Sequence, residues 1–213
     1  MVDQFPGAAP WIPKHLSLPA LTSAVRHCEG CDLYRHATQA VFGEGPARAP
    51  VMMVGEQPGD SEDRAGHPFV GPAGKLLDRA LLDAQVDRAT VYVTNAVKHF
   101  KFEPRGKRRI HGKPNAAQVK ACRPWLEAEI AVVKPQLIVC LGATAAQALL
   151  GRSFRLTQHR GEFQAHALGP MVMATVHPSA LLRMPDEARR HSEYEMFVRD
   201  LALIPTRIHV SSA

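Results

Sequence analysis

The 213-residue sequence contains only four cysteines, few aromatic residues (6%) and no long apolar run. No segment approaches the roughly 20 apolar residues that a membrane-spanning helix needs, and the start of the chain has no secretory signal pattern. We therefore expect a cytoplasmic protein with no membrane association. Disulfides are not expected in that compartment, so the cysteines need another explanation.

Acidic residues are in the minority, because 20 Asp and Glu stand against 26 Lys and Arg, which gives a net charge of +6. A basic balance suits a polyanionic partner, although a charge of this size does not identify one. The length is sufficient for one α/β domain with a full hydrophobic core. We expect a monomer in which residues 21–213 form that domain and residues 1–20, which hold four prolines, form an irregular arm.

Short apolar runs alternate with amphipathic segments along the chain, which predicts strands alternating with helices. The predicted strands are residues 50–55, 91–94, 137–142 and 171–176, and the predicted helices are residues 21–28, 72–84, 115–133, 143–150 and 186–204. This order predicts a three-layer α/β/α sandwich with a central, mostly parallel four-stranded sheet. Residues 96–114 show no core pattern and are expected to form a long basic loop.

Polar residues follow the predicted strands at the points where the strands end. Gly55, Asn95, Gly142 and His177 mark those four ends. Ligands of parallel sheets bind beyond the carboxyl ends of the strands. The sequence therefore predicts a site at this edge of the sheet.

The four cysteines are one Cys-x-x-Cys pair, Cys28 and Cys31, and two separate residues, Cys122 and Cys140. Four thiolates can hold a tetrahedral zinc ion or a four-iron cluster. Structural zinc sites usually use two local pairs, whereas this chain has one, and its other two cysteines fall in a predicted helix and a predicted strand. This arrangement favours a cluster whose ligands meet only in the finished fold. Zinc and buried core thiols are the alternatives.

Five short motifs carry a resemblance to a known family. They are residues 55–60 (Gly-Glu-Gln-Pro-Gly-Asp), 66–74 (Gly-His-Pro-Phe-Val-Gly-Pro-Ala-Gly), 95–98 (Asn-Ala-Val-Lys), 141–145 (Leu-Gly-Ala-Thr-Ala) and 177–179 (His-Pro-Ser). In combination they resemble the iron–sulfur uracil-DNA glycosylases of family four. The resemblance implies the uracil-DNA glycosylase fold, a [4Fe-4S] cluster on the four cysteines, and a DNA-repair enzyme that excises uracil.

Two features depart from ordinary family-four sequences and resemble the X type of this superfamily, UdgX. One is Gln57, and the other is an inserted loop at residues 106–111 that contains Lys-Arg-Arg-Ile-His. The resemblance implies that His111, instead of water, captures the sugar at C1′ after uracil leaves and forms a stable bond. An ordinary glycosylase that uses water, and an iron–sulfur DNA-binding or electron-transfer protein without excision, are the alternative functions.

A glycosylase must flip the base out of the stack, hold it, and stabilise the charges that develop. The resemblance implies that Phe69 stacks on uracil and that His177 donates a hydrogen bond to O2. The amide of Asn95 has the donor and the acceptor that pair with uracil N3–H and O4. From the residues alone, core packing for Phe69 and a turn role for Asn95 are the alternatives. With loop backbone amides included, the expected uracil-binding residues are Gln57, Phe69, Asn95, Gly55 and Gly59.

His111 must be neutral to act as a nucleophile. Glu56 is the candidate to set its tautomer or accept its proton, and Arg109 is expected to position the loop. Carboxylates near the sugar, Glu56 and Asp60, are expected to stabilise positive charge. The alternatives are a solvated histidine that contacts phosphate and solvated loop acids. The expected catalytic residues are His111, Glu56, His177, Asp60 and Arg109.

The segment from residue 98 to residue 113 holds seven Lys or Arg and one acid, Glu103. Such a segment suits DNA phosphates, although a solvated charged surface is the alternative. Residues 177–183 are a second expected DNA-facing segment, in which Leu181 or Leu182 is a candidate wedge. The resemblance implies uracil-containing DNA as the partner and free uracil as the product. We expect single-stranded DNA to be favoured, because no base pair must then be broken. The expected DNA-binding residues are Lys107, Arg108, Ser179 and Arg183.

Overall fold

The computed structural model describes residues 5–208, and its centre is a twisted sheet between two helical layers. The strands are β1 (Val51–Gly55), β2 (Val91–Asn95), β3 (Phe102–Arg105), β4 (Arg108–His111), β5 (Leu137–Leu141), β6 (Phe163–Ala165) and β7 (Met171–Thr175). The central sheet has the order β2-β1-β5-β7-β6, and its first four strands are parallel. These four strands carry the predicted apolar runs and are almost entirely buried, which confirms the predicted mostly parallel sheet.

Helices cover both faces of the sheet, as the alternation of strands and helices predicts. The helices are α1 (Leu18–Val25), α2 (Asp60–Ala65), α3 (Pro72–Asp83), α4 (Ala116–Val133), α5 (Ala143–Leu150), α6 (Leu156–His159), α7 (Pro178–Leu182) and α8 (Glu187–Leu201). Helices α4 and α5 pack on one face, whereas α3, α7 and α8 pack on the other. The predicted three-layer sandwich is therefore confirmed. No helix of residues 5–208 is long and apolar enough to cross a membrane.

The sheet has a fifth strand that the sequence analysis missed. Strand β6 has three residues and pairs antiparallel with β7 at the edge of the sheet. Its residues are partly exposed, because an edge strand is covered on fewer sides than a central one. A three-residue strand without an apolar run gives no periodic signal, so the prediction of four strands was wrong by one.

The predicted basic loop at residues 96–114 is wrong as a description of structure. It contains a β-hairpin, β3–β4, in which Phe102 pairs with His111 and Arg105 pairs with Arg108. The residues before the hairpin are buried, including Phe100, which is 1% exposed. Because the hairpin carries exposed cations, its sequence lacks the apolar pattern that predicts a strand.

The amino-terminal arm packs against the domain over its described part. Ala8 donates a backbone hydrogen bond to Ala121 of α4 at 2.7 Å, and Gly7 donates one to Gly30 at 3.1 Å. Helix α1 begins at Leu18 with Ser17 as its N-cap, so the predicted helix at residues 21–28 is shifted by about one turn. Residues 1–4 and 209–213, which belong to the predicted arm and domain, lie outside the described residues.

A buried ion pair joins the sheet to α4. Lys98 and Glu129 are both 0% exposed, and Lys98 Nζ lies 2.5 Å from Glu129 Oε2. Lys98 Nζ also donates to Thr94 Oγ1 at 2.7 Å and to the Asn95 carbonyl at 2.8 Å. Glu129 accepts a further hydrogen bond from the Tyr92 hydroxyl. The charges are therefore compensated within the core, and each depends on the other.

We predict that Lys98→Met destabilises the protein by about 3–5 kcal/mol, because it leaves the Glu129 carboxylate buried without its cation. Guanidinium unfolding followed by circular dichroism measures the loss. Lys75→Met, at an exposed position of α3, is the matched control and should change stability by less than about 0.5 kcal/mol. A loss in Lys98→Met no larger than that in the control contradicts the prediction.

Candidate active site

Gly55 ends β1 and allows Asn95 and Phe69 to approach each other at the carboxyl edge of the sheet. A side-chain carbon at Gly55 would overlap the amide oxygen of Asn95 and would lie 2.9 Å from Cζ of Phe69. Asn95 is 3% exposed, and Lys98 fixes its backbone carbonyl. A polar edge and an aromatic ring therefore meet at one point, which is the arrangement that binding of a single base requires.

The Phe69 loop is held in a strained conformation. Phe69 has a φ of 57°, a left-handed value that costs a non-glycine residue about 1–3 kcal/mol. Gly74 of α3 packs directly on the Phe69 backbone, where a side-chain carbon would overlap it. The Glu62 carboxylate accepts N–H bonds from Gly59 at 3.0 Å and from Gly71 at 2.8 Å. These contacts fix the Phe69 loop against the loop that follows β1.

His177 follows β7 and is fixed as a neutral hydrogen-bond donor. Its Nδ1 accepts the backbone N–H of Ser179 at 3.1 Å and lies 2.8 Å from the Ser179 hydroxyl, to which Arg183 donates at 3.1 Å. Burial, with smaller contributions from Arg183 and His111, lowers the pKa of His177 to about 4. Since Nδ1 accepts, the proton of the neutral ring is on Nε2. The ring is nearly parallel to Phe69, with centroids 6.3 Å apart.

His111 ends β4, and Gln57 holds its ring. Gln57 Oε1 accepts the backbone N–H of Lys101 at 3.2 Å, which fixes the orientation of the amide. Gln57 Nε2 then lies 3.0 Å from His111 Nε2, 3.0 Å from the Gly112 carbonyl and 3.1 Å from the Lys101 carbonyl. An amide NH₂ only donates, so His111 Nε2 carries a lone pair and the ring proton is on Nδ1.

The charge state of His111 follows from its surroundings. Burial lowers its pKa, the Glu56 carboxylate opposes that effect, and the cation of Arg183 adds to it. The net shift is downward from 6.5, so the imidazole is neutral at pH 7. His111 and His177 are therefore both neutral, but they have opposite tautomers.

The Glu56 carboxylate lies beside His111 Nε2 without a hydrogen bond to it. Glu56 Oε1 is 3.8 Å from His111 Nε2, which is beyond hydrogen-bond distance. The other oxygen of Glu56 accepts a short hydrogen bond from the Thr144 hydroxyl in the first turn of α5. A carboxylate held in this way can stabilise a developing cation next to the imidazole.

Arg109 anchors the hairpin that carries His111. Its Nε lies 2.5 Å from Asp60 Oδ1 and its Nη1 lies 2.6 Å from Asp63 Oδ2. Its guanidinium also lies over the rings of Phe100 and Phe102, 5.4 Å and 5.0 Å from their centroids. These contacts are what a loop-positioning role requires of Arg109.

The Asp60 carboxylate is engaged by two arginines. Burial raises its pKa, but hydrogen bonds from Arg64 and Arg109 outweigh that effect and hold the pKa below its usual value. Asp60 therefore stays ionised and acts on the hairpin through Arg109. The Asp63 carboxylate, which is fully buried, also accepts the backbone N–H of Thr38 at 3.0 Å.

The expected DNA-contacting residues lie in two surface segments. Lys107 and Arg108 are exposed at the tip of the hairpin, and Ser179 and Arg183 lie on and just after α7. The structure distinguishes the two candidate wedges in this segment. Leu181 is 1% exposed and packs in the core, whereas Leu182 is 46% exposed. Only Leu182 is therefore available to a ligand.

Three of the four cysteines lie together. Cys28, Cys31 and Cys122 belong to one buried cluster beneath the amino-terminal arm. Cys140 lies on β5 in a different part of the core, between Val54 and Ala174 of the neighbouring strands. The structure therefore does not bring Cys140 together with the other three thiols.

The grouped thiols are buried and receive hydrogen bonds. Cys28 Sγ accepts from the Trp125 indole at 3.2 Å, and Cys122 Sγ accepts the backbone N–H of Lys98 at 3.2 Å. Burial raises the pKa of Cys122 to about 12 despite the nearby Lys98 charge. The Cys122 thiol is therefore protonated and unreactive when no metal is bound.

His99 lies beside the grouped cysteines. It lines a cavity of about 240 Å³ together with Cys28, and it is 5% exposed. Burial lowers its pKa to about 4, although Asp63 opposes the shift, so the imidazole is neutral. Neutral imidazole is the form that binds metals. Residues 5–208 hold no group of three or more His, Cys, Asp or Glu side chains that could bind a single metal ion.

Sequence analysis missed several residues of this site. Glu62 follows Gly59 at the three-residue spacing of a helix N-terminal capping box, which was an available signal. Thr144 and His99 each lie within or next to a quoted motif, but nothing in the sequence indicates which neighbour they contact. The position of Asp63 under the hairpin depends on a contact across 46 residues, which local patterns do not predict.

Comparisons with known proteins agree with this geometry. The sequence profile described as "Uracil DNA glycosylase superfamily" matches residues 42–202. The chain is 39% identical to a type-4 uracil-DNA glycosylase of Pyrobaculum aerophilum, over 80% of this chain and 87% of that protein. It is 37% identical to a type-4 enzyme of Thermotoga maritima (80% and 86%) and 34% identical to one of Sulfurisphaera tokodaii (90% and 87%). The chain belongs to the uracil-DNA glycosylase superfamily.

Proposed function

We propose that this protein excises uracil from DNA, as a repair enzyme, and then forms a covalent bond between His111 and C1′ of the abasic sugar. The observation that carries the proposal is the hydrogen bond from the Gln57 amide to His111 Nε2, which holds a neutral imidazole with its lone pair on that nitrogen. The family membership supports uracil excision. The lone pair beside Glu56 supports capture of the sugar.

Excision breaks the bond between N1 of uracil and C1′, and the bonding electrons leave with uracil. Negative charge then develops on the base, including O2, and positive charge develops on the sugar. His177, protonated on Nε2, donates to O2, while the Asn95 amide pairs with N3–H and O4. Phe69 stacks on the base. The Glu56 carboxylate stabilises the sugar cation.

Capture uses the lone pair of His111 Nε2, which exchanges its hydrogen bond from Gln57 for the new bond to C1′. The imidazole becomes cationic and loses its Nδ1 proton to solvent, and the uracil anion takes up one proton. The overall step therefore exchanges an N1–C1′ bond for an Nε2–C1′ bond and moves one proton from the protein to uracil. The resulting N-alkylimidazole is a poor leaving group, so the adduct persists and the protein acts once.

We predict that a uracil-containing oligonucleotide gives a protein–DNA complex that survives denaturing gel electrophoresis. His111→Ser should abolish the complex and, because water then reaches C1′, release an abasic product with multiple turnovers. His191→Ser, on the exposed surface of α8, is the matched control and should retain the complex. Repeated turnover by the unaltered protein without a complex would falsify covalent capture and favour the ordinary glycosylase.

Capture and excision should respond differently to acid. The pKa of His111 is lowered from 6.5, so the yield of adduct should fall only at a pH more acidic than that at which an ordinary histidine becomes protonated. His177, with a pKa of about 4, remains a neutral donor over most of that range, so uracil release should continue. Denaturing gels and uracil-release assays at each pH give the ratio of adduct formed to uracil released. An adduct yield that already falls above pH 6.5 contradicts the assignment of a neutral His111.

We also propose a [4Fe-4S] cluster, with Cys28, Cys31, Cys122 and His99 as its ligands in place of the set that includes Cys140. The donor chemistry fits, because the three thiols are buried together, Cys28 and Cys122 accept N–H bonds, and the neutral imidazole of His99 borders the same cavity as Cys28. When bound, the cluster supplies a rigid link between α4 and the segment that follows α1. A single zinc ion requires four ligands within bonding distance of one point, and the spacing of the described side chains does not favour that arrangement.

The ligand set with His99 and the ligand set with Cys140 predict opposite effects of substitution on iron binding. Cys140→Ala should retain iron and the broad visible absorption of the cluster, whereas His99→Ala should lose iron or shift the spectrum. His99→Cys should restore iron content with an altered spectrum, since thiolate replaces imidazole. Iron analysis and absorption spectroscopy on purified variants provide the measurements. Loss of iron in Cys140→Ala, with none in His99→Ala, would restore the four-cysteine assignment.

Three further parts of the proposal concern how the protein meets its substrate. We propose that it acts as a monomer in the cytoplasm and that it favours single-stranded DNA. A single strand has no base pair to break, so flipping uracil into the site costs less. Exposed Lys107 and Arg108 on the hairpin, and Arg183 beyond α7, suit phosphates on the substrate strand.

A further inference from the structure

A cationic cleft lies between α4 and α5, outside the uracil site. Its volume is about 750 Å³. Four of the described residues that line it are Lys or Arg, and none is Asp or Glu. The walls between the cations are apolar, formed by short side chains such as Ala117 and Ala148. The four cations are Lys113, Lys120, Arg123 and Arg152.

Glu127 pairs with Arg123 but does not remove its charge. Arg123 pairs with Glu127 one turn along α4 at 2.7 Å, and both side chains are more than 40% exposed, so that pair is screened by water. Lys113 precedes α4 and Arg152 follows α5. Cations next to both helices therefore line the cleft.

The cleft continues directly from the active site. Thr144 lines it and donates the hydrogen bond that holds Glu56. Lys113 is two residues beyond His111. On the other side of the site, α7 packs against the opposite face of the sheet, and Arg183 follows α7. A DNA strand that crosses the carboxyl edge of the sheet at His111 would meet α7 on one side and this cleft on the other.

We propose that the cleft binds the phosphates of the DNA strand on one side of the uracil nucleotide. Cationic grooves with apolar walls suit a single strand, because they follow the backbone and tolerate any base. The described lining holds no aromatic ring, so stacking of bases is not part of the binding. The inference rests on the proposed uracil-DNA glycosylase activity, but not on covalent capture.

The test uses two short single-stranded oligonucleotides, one with six nucleotides only 5′ of the uracil and one with six only 3′. The uracil carries a 2′-fluorine substituent, which slows excision so that an equilibrium Kd can be measured. The cleft variant is Lys113→Gln with Arg152→Gln. The matched control is Arg48→Gln with Lys134→Gln, in a cleft at the amino ends of the strands. Uracil release from ordinary substrate at saturating enzyme is measured for every protein.

The cleft variant should bind one of the two oligonucleotides roughly ten-fold more weakly at 0.1 M salt, with a salt slope smaller by about 1.4 for two lost phosphate contacts. It should bind the other within two-fold of the unaltered protein and release uracil at the same saturated rate. The proposal is overturned if the cleft variant binds both oligonucleotides as tightly as the unaltered protein does, or if it binds both more weakly by the same factor. The same loss of affinity in the control variant also overturns it. Absence of uracil release by the unaltered protein would instead overturn the glycosylase function itself.

Discussion

The connection between the β3–β4 hairpin and the loop after β1 fixes the position of His111. Arg109 ties the hairpin to Asp60 and Asp63, and Gln57 ties its last residue to the loop. Both contacts join segments about 50 residues apart in sequence. Without them an exposed, strongly cationic hairpin would repel itself and leave the imidazole in solvent. The ion pairs thus convert a surface feature into part of a site.

Neighbouring groups give the two histidines of the site opposite tautomers. Ser179 donates to Nδ1 of His177 and so leaves a proton on Nε2. Gln57 donates to Nε2 of His111 and so leaves a lone pair there. Desolvation lowers the pKa of both rings, although the His111 side chain is still 46% exposed. One ring is thereby suited to donate to a departing anion and the other to attack a cation, although both have the same chemistry in isolation.

Local patterns in the sequence predict the central sheet and most of its helices, because buried parallel strands are continuous apolar runs. They do not predict β6, which is short and partly exposed, or the hairpin, whose pairing is hidden by charge. The motifs indicate the side chains that surround the carboxyl edge of the sheet. They do not indicate that Cys140 lies apart from the other cysteines or that His99 borders them, since both facts depend on which face of an element each side chain occupies. Such placements arise from packing between distant segments.

A crystal structure of the protein after reaction with uracil-containing DNA tests the central claim most directly. The account predicts continuous density between His111 Nε2 and C1′ of a sugar that has lost its base, with Glu56 beside the bond and free uracil absent or held between Phe69 and Asn95. An imidazole exposed on the surface, away from an unmodified abasic sugar, would contradict it. In that case the hairpin would serve only to bind phosphate, and water would complete the reaction.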